Sequence, residues 1–344
     1  KITMKRDMRK WTYWIMNSVE RHAMPIMTYP GLKLAGKRIT DVVRDGESQY
    51  NCIEALAHKY PSAGAMTIMD LSVEAEAFGS RVNYTDIEVP NVAERLIADF
   101  NGAKELSVPK IGTGRTMAYL KAAELAAKNI KDRPTFGGEI GPFSLAARLF
   151  DMTEAMVAVM LEPETMHIIL EKAAEFLVEY AKAFKQVGAN GIIIAEPAAG
   201  LLSPAQCDEF SSAYVKRIVD AVQDDYFMVI LHNCGNTLNL LNSMLSTGAV
   251  GLHLGNAVDM AKVMPNIPWG RLAFGNIDPA RVFKNGTDED VKNETLILLE
   301  KTAIYKNFVI SSGCDIPPGT PDENIETFFE TVEMFNKTVF KAAG

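Results

Sequence analysis

The sequence predicts an α/β chain folded as a (β/α)8 (TIM) barrel, and three observations lead there. Eight short apolar runs rich in β-formers end in turns marked by glycine, proline or a polar residue. Helix-period segments alternate with them along the chain. No internal repeat or linker interrupts the alternation. Strands that alternate with helices imply parallel pairing through crossover connections, and eight such units close into a barrel.

The expected strands are 24–27, 65–69, 135–140, 191–195, 227–231, 250–254, 272–275 and 308–311. The helical segments between and after them include 48–59, 117–129, 163–188, 204–223, 238–246, 288–301 and 321–341. At 344 residues the chain exceeds the ~250 typical of this fold. The surplus falls in an amino-terminal helix, 7–21, within a 1–21 extension, and in an insertion at 80–133 after the second strand. Neither needs to be a separate domain, so residues 1–344 are read as one.

Composition narrows the function. With 48% hydrophobic residues the chain can bury a large core, and a net charge of −8, with no basic stripe beyond short clusters such as 1–10, argues against a nucleic-acid surface. No apolar stretch approaches the ~18–20 residues of a membrane span, and the first twenty lack the apolar core of a signal peptide, so a cytoplasmic protein is expected. Four cysteines, none in a CxxC pair, suit a reducing compartment and a metal role better than a disulfide framework. Cys52 and Cys207 lie in helix-like stretches and are read as packing residues.

The remaining two cysteines carry the chemistry. His232-Asn233-Cys234-Gly235 follows the apolar run 227–231, and Ser312-Gly313-Cys314 follows 308–311. One imidazole and two thiolates brought together at strand ends match a catalytic zinc with three protein ligands and an open fourth position. In a barrel the active site lies at the carboxyl ends of the strands. That rule adds Asp70, Glu196, His253, Asn256, Asn276 and Asp278. Glu196, Asp70 and Asn276 are assigned to the chemistry, and His253, Asn256 and Asp278 to cofactor contacts. Glu196 either closes the zinc shell at rest or orients His232 through its other ring nitrogen. Asp70 has the alternative of capping the helix that follows it, and His253 that of lining the mouth. The Gly112-Thr113-Gly114-Arg115 turn is too short for a phosphate loop and is read as a helix start.

Gly138-x-x-Gly141-Pro142-Phe143-Ser144-Leu145-Ala146, Gly275-Asn276-Ile277-Asp278-Pro279 and Ser312-Gly313-Cys314-x-x-Pro317…Thr320-Pro321-x-x-Asn324 resemble the signatures of the uroporphyrinogen decarboxylase superfamily, over residues 24–336. That family's decarboxylases resemble one another in an arginine-rich stretch after the first strand and a histidine near the last. Here Met24-Pro25-Ile26-Met27-Thr28-Tyr29-Pro30-Gly31 holds no arginine and the last strand leads to Cys314. The His232-to-Gly235 motif with Cys314, and the 69–79 segment, are similar instead to the cobamide-dependent methyltransferase branch. The resemblance implies methyl transfer between a corrinoid carried on a separate protein and a small substrate, a thiol before other methyl donors or acceptors. Zinc would lower a thiol's pKa and orient it. The alternatives are decarboxylation of a tetrapyrrole, a component that methylates a corrinoid from an ether, and a zinc staple in a ligand-binding barrel. A homodimer is compatible with each.

Overall fold

Parallel strands covered on both faces read as unbroken apolar runs, and these runs form the wall of the barrel. A computed structural model of the chain describes residues 5–343, and the side chains of 5–338. In chain order the strands are β1 (Ala65–Met66), β2 (Val82–Asn83), β3 (Asn91–Val92), β4 (Thr135–Ile140) and β5 (Gly191–Ala195), then β6 (Met228–Asn233), β7 (Gly251–Leu254), β8 (Leu272–Ile277) and β9 (Phe308–Ser312). Seven of them form one parallel sheet in the order β1-β4-β5-β6-β7-β8-β9, while β2 and β3 pair antiparallel as a separate ribbon. The sheet curls into the expected (β/α)8 barrel.

The eighth position belongs to 23–27, which bridges β9 through Ala23 and Ile310 without becoming a regular strand. Pro25 has no N–H to give a ladder, and Ile26 N–H goes to Ser312 Oγ at 3.0 Å. The segment still closes the barrel, because Met24 N–H donates to Ile310 O at 2.9 Å on one side and Ala63 N–H to Ala23 O at 2.8 Å on the other. β1 also stops earlier than expected. Thr67 N–H still donates to Phe136 O at 3.0 Å, and beyond it side chains replace backbone partners: Ile68 N–H donates to Gln49 Oε1, and Gly138 N–H to Thr67 Oγ1.

Met24, Ile26, Met66, Phe136, Ile193, Met228, Ile230, Leu272, Phe274 and Val309 fill the barrel interior. Helix Met8–Asn17 packs Met8, Trp11, Ile15 and Met16 into that same cluster. Trp11 meets Phe136, near the start of β4, so the helix plugs the amino-terminal end of the barrel. The carboxyl-terminal mouth is therefore the end left for chemistry. Residues 1–4 of the expected extension lie outside the described residues.

The insertion is shorter than the sequence reading gave. Helix Thr116–Asn129 belongs to the outer ring and lies close against helix Gly46–Lys59, where a Cβ on Gly46 would sit 2.4 Å from Ala118 O. What remains, about 80–115, holds the β2–β3 ribbon and helix Phe100–Glu105. Among the described residues no helix is long and apolar enough to cross a membrane.

Candidate metal centre

His232 sits on β6, in register with Ala195 of β5 and His253 of β7. The turn that follows is held by Asn233, whose Nδ2 donates to Glu196 O at 2.8 Å and whose Oδ1 accepts from Gly235 N at 2.8 Å. Glycines let the neighbouring strand ends come near. A Cβ on Gly255 would lie 2.5 Å from Cys234 Cα, and one on Gly313 would lie 2.8 Å from Asn256 N. The loops after β6, β7 and β9 thus converge.

The convergence gathers one ring nitrogen of His232 and the Sγ atoms of Cys234 and Cys314 within 4.8 Å of one another. His232 is buried, and its Nε2 has no hydrogen-bond partner. A buried polar atom left alone costs about 1–3 kcal/mol, which a metal at that nitrogen would remove. The Cys234 thiol is pulled down to about 4, first by the hydrogen bond from Cys314 and then by His232 beside it. The Cys314 thiol, which gives that hydrogen bond and is buried, is pushed well up. Metals bind the deprotonated thiolate, and one nitrogen with two sulfurs is a zinc donor set. The residues fit the ion.

Glu196 lies outside this cluster. Its Oε1 accepts from Ser144 N at 2.6 Å, and its Oε2 from Phe143 N at 3.0 Å and Ser211 Oγ at 2.9 Å. The carboxylate caps helix Pro142–Phe150, whose own N-cap, Gly141, supplies no side chain. Burial pushes its carboxyl above the usual range while the three donors pull it back. Neither expected role survives this placement: both oxygens are committed to capping, and the partner of His232 Nδ1 is His253 Nδ1, at 2.8 Å. Burial, then the nearby His232, holds His253 well below the usual imidazole range.

The other expected residues build loops. Asp70 Oδ1 accepts from Ser72 N at 2.9 Å, and its Oδ2 takes Arg115 at 2.6 Å and Tyr119 Oη at 2.7 Å. Arg115, placed by the sequence at a helix start, also binds Glu76 at 2.6 Å and so pins the insertion to the mouth. Forty-five residues separate it from Asp70, and no local signal could have joined them. Asn276 Nδ2 donates to Gly255 O and Val258 O at 2.9 and 2.8 Å, bracing the loop that lies against Cys234. Asp278 Oδ2 accepts from Asn256 Nδ2 at 3.0 Å, and its Oδ1 caps Ala280 and Arg281. Asn256, Asn276 and Asp278 share a polar cleft of about 450 Å³ with Arg281 and Lys301.

Comparison with known proteins gives the lineage. Residues 12–335 match the family model described as uroporphyrinogen decarboxylase (URO-D). The chain is 30% identical over 270 residues, 77% of its length and 78% of theirs, to a methylcobamide:CoM methyltransferase of Methanosarcina acetivorans, with a Methanosarcina mazei counterpart at the same identity. It is 26% identical over 330 residues, 92% of each chain, to a uroporphyrinogen decarboxylase of Prochlorococcus marinus. A solved methyltransferase from Methanosarcina mazei superposes with a TM-score of 0.85 at 22% identity, covering 96% of this chain and 99% of the other. Fold, motifs and family match agree: the chain is an enzyme of the uroporphyrinogen decarboxylase family.

Proposed function

We propose that this enzyme moves a methyl group between a corrinoid carried on a separate protein and a small thiol, with zinc held by His232, Cys234 and Cys314. The observation that carries the reading is the cluster itself: the Sγ atoms of Cys234 and Cys314 and one ring nitrogen of His232 lie within 4.8 Å of one another, and His232 Nε2 is buried and unpartnered. The relatives named methylcobamide:CoM methyltransferase support the corrinoid and the thiol.

Zinc with one open position would deprotonate a bound thiol and hold it as a nucleophile. The chain's own residues supply the rest. Cys234 and Cys314 would hold the ion as thiolates and contribute two negative charges. His232 contributes the lone pair of Nε2. Asn233 keeps the turn rigid through Glu196 O and Gly235 N, and Gly255 and Gly313 keep the strand ends close. In the transfer the thiol sulfur forms its bond to the methyl carbon as the cobalt–carbon bond breaks, and the electron pair of that bond stays on cobalt.

The test is anaerobic incubation of the zinc-loaded protein with methylcobalamin and a panel of small thiols. The absorbance of methylcob(III)alamin should give way to that of cob(I)alamin as the methyl thioether accumulates. Turnover of uroporphyrinogen without metal, and none of methylcobalamin, would overturn the reading in favour of the decarboxylases. The 24–31 stretch holds no arginine to grip porphyrinogen carboxylates, which weighs against that outcome.

A further inference from the structure

His253 looked from the sequence like a cofactor contact, but its hydrogen bonds run inward. Its Nδ1 lies 2.8 Å from Nδ1 of His232, and its Nε2 lies 2.9 Å from Ser311 Oγ. The residue is fully buried. The rings of His232 and His253 meet edge to face at 4.6 Å, and the far face of His253 stacks at 13° to Phe274 of β8. We propose that His253 and Ser311 are positioning residues for the metal centre, which lock His232 in the tautomer that leaves Nε2 bare towards Cys234 and Cys314. This inference rests on the metal reading above.

Proton bookkeeping selects the direction of the relay. Two nitrogens 2.8 Å apart share one proton. If His253 donated it, the proton of His232 would sit on Nε2, in the place a metal needs. A neutral imidazole that ligates through Nε2 carries its proton on Nδ1. So His232 Nδ1–H donates to His253 Nδ1, and His253 Nε2–H donates to Ser311 Oγ. The relay runs from β6 through β7 to β9. His232 is on β6 with Cys234 just beyond it, His253 is on β7, and Ser311 is on β9, three residues before Cys314. It therefore ties the two halves of the donor set together as well as turning the ring.

The test uses the full chain with His253→Leu, His253→Gln and Ser311→Ala. Zinc affinity is read by competition with a chromophoric chelator, and ligand geometry from the visible bands of cobalt(II)-loaded protein. His253→Leu should weaken zinc by roughly 10–100-fold and move the cobalt bands. His253→Gln, whose amide can accept from His232 and donate to Ser311, should recover most of the loss. A role in packing alone would lower thermal stability without moving the bands, and that result would overturn the proposal. Should His253→Leu fail to fold, Ser311→Ala decides: weakened zinc with cobalt bands moved away from the wild-type positions supports the relay, and wild-type values for both overturn it. Wild-type protein that binds neither ion would bring down the metal reading and this inference with it. Wild type and His253→Leu binding both ions equally would overturn the relay alone.

Discussion

Replacing Glu196 with glutamine should destabilise the fold and leave metal binding intact, the reverse of what a zinc ligand would do. The two carboxylate oxygens serve three donors, the N–H groups of Phe143 and Ser144 and the hydroxyl of Ser211. Glutamine keeps one oxygen and turns the other into NH2. Ser211 can rotate to accept, but a backbone N–H cannot. Whichever way the amide points, one first-turn N–H of helix Pro142–Phe150 faces another donor. An unpartnered buried N–H costs about 1–3 kcal/mol, and loss of a carboxylate from a helix N-terminus adds about 0.3–1 kcal/mol. The expected loss is roughly 1–4 kcal/mol, read as a lower urea midpoint by circular dichroism. Zinc stoichiometry should match the wild type, since Asn233 uses the backbone oxygen of residue 196. A variant with the wild-type midpoint but little zinc would refute this reasoning and return Glu196 to the metal.

Cys234→Ala and Cys314→Ala should each lose most of the zinc measured by elemental analysis while keeping the wild-type circular dichroism, because the barrel core contains neither sulfur. Gly255→Ala should push the Cys234 backbone aside, since its Cβ would fall 2.5 Å from Cys234 Cα. Zinc affinity by chelator competition should fall, and an unchanged value would contradict the close approach. Burial raises the Glu74 carboxyl to about 8. A carboxyl raised on folding contributes stability below its unfolded value, near 4.5, that is lost as pH rises towards about 8. Glu74→Gln, which carries no such proton, should therefore gain stability relative to the wild type across that interval in urea titrations, and a constant difference would contradict the assignment.

Legibility in the sequence followed the physics of each element. β4 and β5 coincide with the expected runs 135–140 and 191–195 because sheet residues buried on both faces are written as unbroken apolar stretches. The first run, 24–27, is equally apolar, yet its ladder is interrupted by Pro25. Its place beside β9 depends on contacts almost three hundred residues away in sequence. His232, Cys234 and Cys314 were legible as a group because metal ligation restricts residue type as well as position, and the fold brings their ligand atoms within 4.8 Å of one another. Glu196 was misjudged because a carboxylate at a strand end suits a ligand and a cap equally well. One clue was present: Gly141-Pro142 opens a helix with no side-chain acceptor of its own, so the acceptor had to come from elsewhere.

The hydrogen bonding of the mouth separates its scaffold from its chemistry. Glu196, Asp70, Asn233, Asn276 and Asp278 have each committed polar atoms to backbone groups or to neighbouring side chains. A group so committed would have to give up bonds of about 1 kcal/mol or more apiece before it could meet a substrate, so these residues shape loops. His232 Nε2 is different. It is buried and unpartnered, on a ring that places one nitrogen within 4.8 Å of two sulfurs. Folding leaves that deficit standing at the end of β6. A protein tolerates such an unmade bond where something else completes it, and the donors beside it decide what that is. With two sulfurs as neighbours, the partner we propose is a soft or borderline cation.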